Sequence, residues 1–242
     1  MLNRERIELL AAAFGSATHP LARWYAPLLA DGALRAFTAD NAAKIRKKVR
    51  HAREPEALRD LQCELAVAAA LADRRSPLIY EPLAAQNRRG PDFRLRHKGH
   101  TDVYAEVARL RPARNTTTDP TERLAAVLCG KLDQFASGAA NLLVVFSDAG
   151  PFGSAVIATM LQALRQRAAA KDDAYFAFRG LAGARAFLQA LPRLSGVLIV
   201  VPAIPNDNLY IHSQARHPLP PDLVRRAAGW ALAAQIDPTT DD

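Results

Sequence analysis

Two unbroken apolar runs, "NLLVVFSD" at 141–148 and "GVLIVVPAI" at 196–204, constrain this chain more than any other feature. A strand with one wet face alternates apolar and polar residues. These runs do not alternate, so each reads as a strand covered on both faces. Cover on both faces requires helices on both sides of a sheet. The neighbouring segments supply them: "TERLAAVLCGKLDQFASG", "GSAVIATMLQALRQRAAAK" and "GARAFLQALPRL" all carry apolar residues at helical spacing. Asp119 or Thr121 can cap the first of these and Gly138 can end it. "NLYIHS" reads as an edge strand beside the second run, and "PPDLVRRAAGWALAAQI" as a closing helix.

Upstream, residues 1–54 read as a helical extension, broken into pieces by Pro20 and Pro27. Pro55 opens a strong helix, "PEALRDLQCELAVAAALADRR", with Leu58, Leu61, Leu65, Ala68 and Ala69 on its apolar side. "PLIYEPL" is a short strand. "PDFRLRHKG" and "TDVYAEVARL" form a hairpin around Gly99, followed by a polar loop, "RPARNTTTDP". From Pro55 the order is helix, three strands, helix, strand, helices, two strands, helix. It predicts an α/β domain over 55–242, with a mixed central sheet flanked by helices.

The chain has 242 residues and a net charge of +8, which suits a polyanionic partner such as DNA and also an arginine-rich source proteome. Cys63 and Cys129 lack companions at zinc-ligand spacing, so the reading is a reduced, cytoplasmic setting without structural zinc. Glu5 and Glu8 interrupt the N-terminal run that would otherwise mimic a signal peptide. No apolar run reaches the roughly 18 residues of a membrane span, so no membrane partner is expected.

Chemistry concentrates in the acids. Glu64 lies mid-helix among apolar neighbours, Asp92 starts the first hairpin strand after Gly90-Pro91, and Glu106 sits inside the second between Ala105 and Val107. An ionised, unpaired carboxylate in such a setting costs several kcal/mol. A hard cation, Mg²⁺ or Mn²⁺, offsets that cost and suits phosphate substrates. The structural alternatives are a surface residue for Glu64, a turn residue for Asp92 and an arginine ion pair for Glu106.

Glu64, "GPDF" at 90–93, "YAEVA" at 104–108 and "GKLDQF" at 130–135 together resemble the PD-(D/E)XK, or restriction-endonuclease-like, nuclease superfamily. Its core is a helix, a three-stranded meander, a second helix and a further strand. The likeness covers roughly 55–148, and the tail "IHSQARHPLPPDLVRRA" resembles the ends of some bacterial members. The resemblance implies metal-dependent DNA hydrolysis, with Asp92, Glu106 and Glu64 facing the metal and Gln134 matching a frequent glutamine of the second helix. A catalytically degenerate binding module of the same fold is the alternative.

The family's lysine, two residues after the second acid, is Ala108 here. Strand alternation puts Ala108 on the face of Glu106 and Arg109 on the other, so Arg109 is no simple substitute. Lys131, one turn before Gln134, is the first candidate to replace the missing ammonium. Arg94 is the second, and Lys98 is too near the turn.

The basic run "KIRKKVRHAR" offers Lys44, Arg46, Lys47, Lys48 and Arg50 as phosphate contacts, or as a solvated helix face. Gly150 and Gly153 between a strand and a helix lack the pattern of a nucleotide loop and read as a helix-entry turn. His97 and His100 flank the hairpin turn and are expected to be exposed. His212 and His217 are too isolated for a metal site.

Overall fold

The computed structural model describes residues 3–84, 90–112, 119–150, 152–201 and 209–228. Four helices lead the chain: α1 (Arg4–Phe14), α2 (Pro20–Tyr25), α3 (Gly32–His51) and α4 (Pro55–Leu71). Their ends follow local chemistry. The side chain of Asn3 accepts from the Arg6 amide, Gly15 closes α1 in the left-handed region, and Asp31 accepts from the amides of Ala33 and Leu34 at the start of α3.

Strands β1 (Leu78–Tyr80), β2 (Phe93–His97) and β3 (Thr101–Leu110) form an antiparallel meander. The turn between β2 and β3 holds both Lys98 (φ 48°) and Gly99 (φ 79°) at positive φ, a conformation glycine adopts at no steric cost. Helix α5 (Pro120–Lys131) then leads to β4 (Ala140–Ser147). Helices α6 (Ser154–Ala169), α7 (Asp173–Ala177) and α8 (Ala184–Ala190) follow, then β5 (Leu194–Val200), β6 (Leu209–Ile211) and α9 (Pro221–Ala228). The strands lie in the order β1-β2-β3-β4-β5-β6. β3, β4 and β5 are parallel, and β6 is antiparallel to β5. The architecture is thus α/β with a mixed six-stranded sheet, and no helix among the described residues is long and apolar enough to cross a membrane.

Every residue of β4 and β5 is buried, as the two apolar runs require. Alternation divides β4 between two cores. Ala140, Leu142, Val144 and Phe146 join α1–α4 and α9, whereas Leu143 and Val145 join α5–α8. The helices of residues 1–54 share the first core with α4 and the sheet. The short α7, started by Asp172, was not foreseen from the sequence.

His97 corrects the expectation of exposure. It shares strand parity with the buried Phe93 and Leu95, is itself buried, and approaches Asp222 of α9 at 3.1 Å, while Lys98 reaches the same carboxylate. His212 is also buried; its Nδ1 meets the Leu194 carbonyl and its Nε2 meets Arg165.

One polar side chain ties three segments together at the start of β4. Asn141 Nδ2 donates to the carbonyls of Ala136, Ala139 and Arg193, and its Oδ1 accepts from the Ala136 amide. Buried polar groups stripped of partners cost about 1–3 kcal/mol. Asn141→Ala is therefore expected to destabilise the chain by about 2–3 kcal/mol. The check is a lower urea midpoint at an unchanged denaturant slope.

Candidate functional site

The meander makes the site by ending unevenly. β2 pairs with β3 only as far as Phe93 opposite Ala105, whereas β4 pairs with β3 through to Leu110. β3 therefore runs on past its β2 partner, and Asp92 sits at the point of departure. Its carboxylate Oδ2 accepts the Val107 amide at 2.8 Å, its own amide donates to Glu106 Oε2 at 3.2 Å, and its carbonyl accepts the Glu81 amide at 2.7 Å. Asp92 thus takes over one hydrogen bond that a longer β2 would have made.

A cavity of about 390 Å³ opens beside this edge. Asp60, Cys63 and Glu64 from α4 line one wall, Val107, Ala108 and Arg109 the floor, and Gly130 and Lys131 from α5 the other wall, with Asp92 between them. Glu106 lies just behind, 2 % exposed. Its partner is Lys131, whose ammonium donates to Oε1, rather than an arginine. Lys131 thus comes from α5 to the face of β3 on which Ala108 leaves space. Arg94 is instead oriented toward Asp102, and Lys98 toward Asp222.

Glu64 is held from the opposite side. Lys48 of α3 donates to its Oε2 at 2.6 Å and the Tyr80 hydroxyl donates to the same oxygen at 2.5 Å. Lys48 also reaches Glu81 at 3.0 Å. Lys44 donates to the Tyr80 carbonyl at 2.6 Å. The five basic candidates therefore do not play one part: Lys48 is half-buried against the acids and the ammonium of the exposed Lys44 turns to β1, whereas Arg46, Lys47 and Arg50 are exposed. Neither the role of Lys48 beside Glu64 nor that of Tyr80 was read from the sequence. The four-residue spacing of Lys44 and Lys48, which puts both on one helix face, was the available signal.

Gln134 does not join the cavity lining. After Lys131 the helix tightens into a 3₁₀ turn, Leu132–Gln134, and the Gln134 side-chain Nε2 donates back to the Gly130 carbonyl at 3.3 Å. Arg109 projects to the α4 side, as alternation demands. It is buried among Glu56, Asp60 and Asp148, paired by charge rather than by aligned hydrogen bonds.

The acids are electrostatically crowded. Burial, then the charges of Glu106 and Glu64, push the Asp92 carboxyl up to about 8, against the pull of the Val107 amide and Lys48. Glu106 is also raised: burial outweighs Lys131 and the Asp92 amide, and Glu64 adds to it. Burial alone would lower the Lys48 ammonium, but Glu64 and Glu81 more than offset it and hold it above its ordinary value. Burial is thus the first cause that holds both acids toward their protonated forms, and their mutual charge is the second for Asp92.

Comparison with family models, curated proteins and solved structures gives no match.

The raised Asp92 carboxyl has a sign that can be tested. The native chain keeps a proton there that the unfolded chain, with an ordinary carboxyl near 4, has already lost. Between these values the native state binds more protons, so stability falls as pH rises. Urea denaturation in chelator is expected to decline from about pH 5 to about pH 8, and Asp92→Asn to remove most of the decline. An unchanged slope in the variant would assign the effect to other groups.

Proposed function

We propose that the chain is a PD-(D/E)XK-type phosphodiesterase that acts on DNA with Mg²⁺ or Mn²⁺. One observation carries the reading: Asp92 and Lys131 line a cleft beside the end of β2, and both engage Glu106 just behind it. The order of α4, the β1–β3 meander, α5 and β4 supports it, since it is the order of that superfamily's core.

The donor chemistry fits a hard cation. Asp92 and Glu106 bring carboxylate oxygens to neighbouring positions, the Asp92 amide donating to Glu106 Oε2, and burial, ahead of neighbouring charge, raises both carboxyls. No three His, Cys, Asp or Glu side chains among the described residues already stand together as a metal-binding group. Mg²⁺ commonly takes one or two carboxylates and keeps several waters, so Asp92 and Glu106 would suffice. An ion there would polarise a phosphoryl oxygen and acidify a water. The chain's own part is to fix the carboxylates through the Val107 and Asp92 amides and to bring one ammonium to them. Lys131 would orient the attacking water and balance charge developing on the phosphate, the work otherwise assigned to the lysine that Ala108 replaces.

A second reading has an observation of its own. Glu106 and Glu64 each already hold a lysine, an arrangement a non-catalytic binding module of the same fold could keep without metal. Arg46, Lys47 and Arg50 would then carry the contact with DNA.

Incubation with supercoiled plasmid and with single-stranded DNA separates the two. Cleavage with Mg²⁺ or Mn²⁺ is expected, abolished by Asp92→Asn or Glu106→Gln and reduced about 100-fold or more by Lys131→Ala. Adding Ala108→Lys to Lys131→Ala is expected to recover part of the loss, because it returns an ammonium to the Glu106 face. DNA left intact under every metal, yet shifted on gels in a salt-dependent way, would favour the binding module. Neither cleavage nor shift would remove both.

A further inference from the structure

Phe178 stands apart from the rest of the surface. It is 88 % exposed, whereas Leu188, the next most exposed large apolar side chain among the described residues, is 46 % exposed. Its backbone is nonetheless fixed. The Phe178 amide donates to the Ala174 carbonyl at 3.0 Å at the end of α7. The turn then closes through Gly180, at φ 85°, whose amide donates to Ala177, while the Leu181 amide donates to Phe176, both at 3.1 Å. The same turn is rooted in the core, since Phe176 is fully buried and stacks on Phe187 at 4.8 Å.

Guanidinium groups surround this knob. Those of Arg167 and Arg179 lie 4.2 and 3.5 Å from the centre of the Tyr175 ring, and that of Arg179 also lies 5.9 Å from the centre of the Phe178 ring. The Tyr175 hydroxyl and Arg179 donate to the same oxygen of Glu122, at 2.8 and 2.7 Å. The other acids nearby are engaged as well: Asp172 pairs with Arg167 at 3.0 Å, and Asp173 accepts the Ala184 amide at 2.8 Å. Glu122 ties the knob to the cleft. It stands one turn of α5, about 6 Å, before Ala126, and Ala126 lines the cavity together with Lys131.

Resting on the nuclease reading above, we propose that Phe178 is a stacking platform for an unpaired base, which makes single-stranded DNA the preferred substrate of the cleft. An aromatic face beside a guanidinium suits a flat π-system carried on an anionic backbone. Glu122 and Tyr175 hold Arg179 in place, and the closed turn holds Phe178, so the face is set before a base arrives. A duplex hides the faces of its bases in the stack, whereas a single strand offers them. A strand with one phosphate in the cleft can lay a neighbouring base on Phe178, because the knob adjoins the α5 wall of that cleft.

Fluorescence anisotropy of labelled oligonucleotides with the full chain, in chelator so that no strand is cut, tests this apart from catalysis. The wild type is expected to bind a single strand more tightly than the duplex of the same sequence. Phe178→Ala is expected to weaken single-strand binding about 5-fold or more, and Phe178→Trp to restore it. The salt slope is expected to stay unchanged, since no phosphate contact is lost. Duplex, and a strand of abasic sites, are expected to bind Phe178→Ala and wild type alike. An unchanged single-strand affinity in Phe178→Ala, or an equal loss on duplex and abasic strand, would overturn the platform and leave the nuclease reading to the plasmid assay. A wild-type dimer that Phe178→Ala converts to monomer in sedimentation would assign the side chain to a second copy of the chain and overturn it as well. No strand bound by the wild type would also overturn it, and if plasmid too were left intact under every metal, the nuclease reading would fall with it.

Discussion

The structure turns on a hydrogen bond that replaces a strand. Where β2 ends at Phe93, the Val107 amide of β3 would lose its cross-strand partner, and the Asp92 carboxylate takes that amide at 2.8 Å. A buried amide without a partner is costly, so β3 can run on uncovered only because a side chain takes over. That one contact lets β3 reach Leu110 beside β4 while leaving its other edge open. It also draws Asp92 to Glu106. The cavity, the crowded carboxylates and the route by which α4 and α5 reach one point from opposite faces all follow from the early end of β2.

Crowding then demands cations, and the chain recruits each from a different element. Lys131 comes from α5 to Glu106, and Lys48 from α3 to Glu64 and Glu81. Neither engages Asp92 directly, and burial, then the charges of Glu106 and Glu64, push that carboxyl up to about 8. The network of Arg109, Glu56, Asp60 and Asp148 closes the α4 wall.

The fold was legible where the sequence is monotonous. The runs at β4 and β5 announced strands buried on both faces, and the helices between them followed from periodicity. The acids were legible because Glu106 interrupts an apolar strand and Asp92 follows Gly90-Pro91. Long-range partners were not. Lys48 is one of several cations in a row, and what separates it from Arg46 or Lys47 is the packing of α3 against α4 and β1. His97 was misread because its place beside the turn outweighed its parity with Phe93 and Leu95. Gln134 was placed on a continuing helix, and the 3₁₀ turn after Lys131 rotates it out of that register.

Ala108 now has a physical rationale. Lys131 reaches Glu106 across the face that residue 108 occupies, and a lysine at 108 would bring a second ammonium to the same carboxylate. Two cations competing for one buried acid would repel and leave one of them without a partner. A small residue at 108 and a long cation at 131 therefore form a coupled choice. The ammonium that meets the Glu106 face is the one helix α5 delivers.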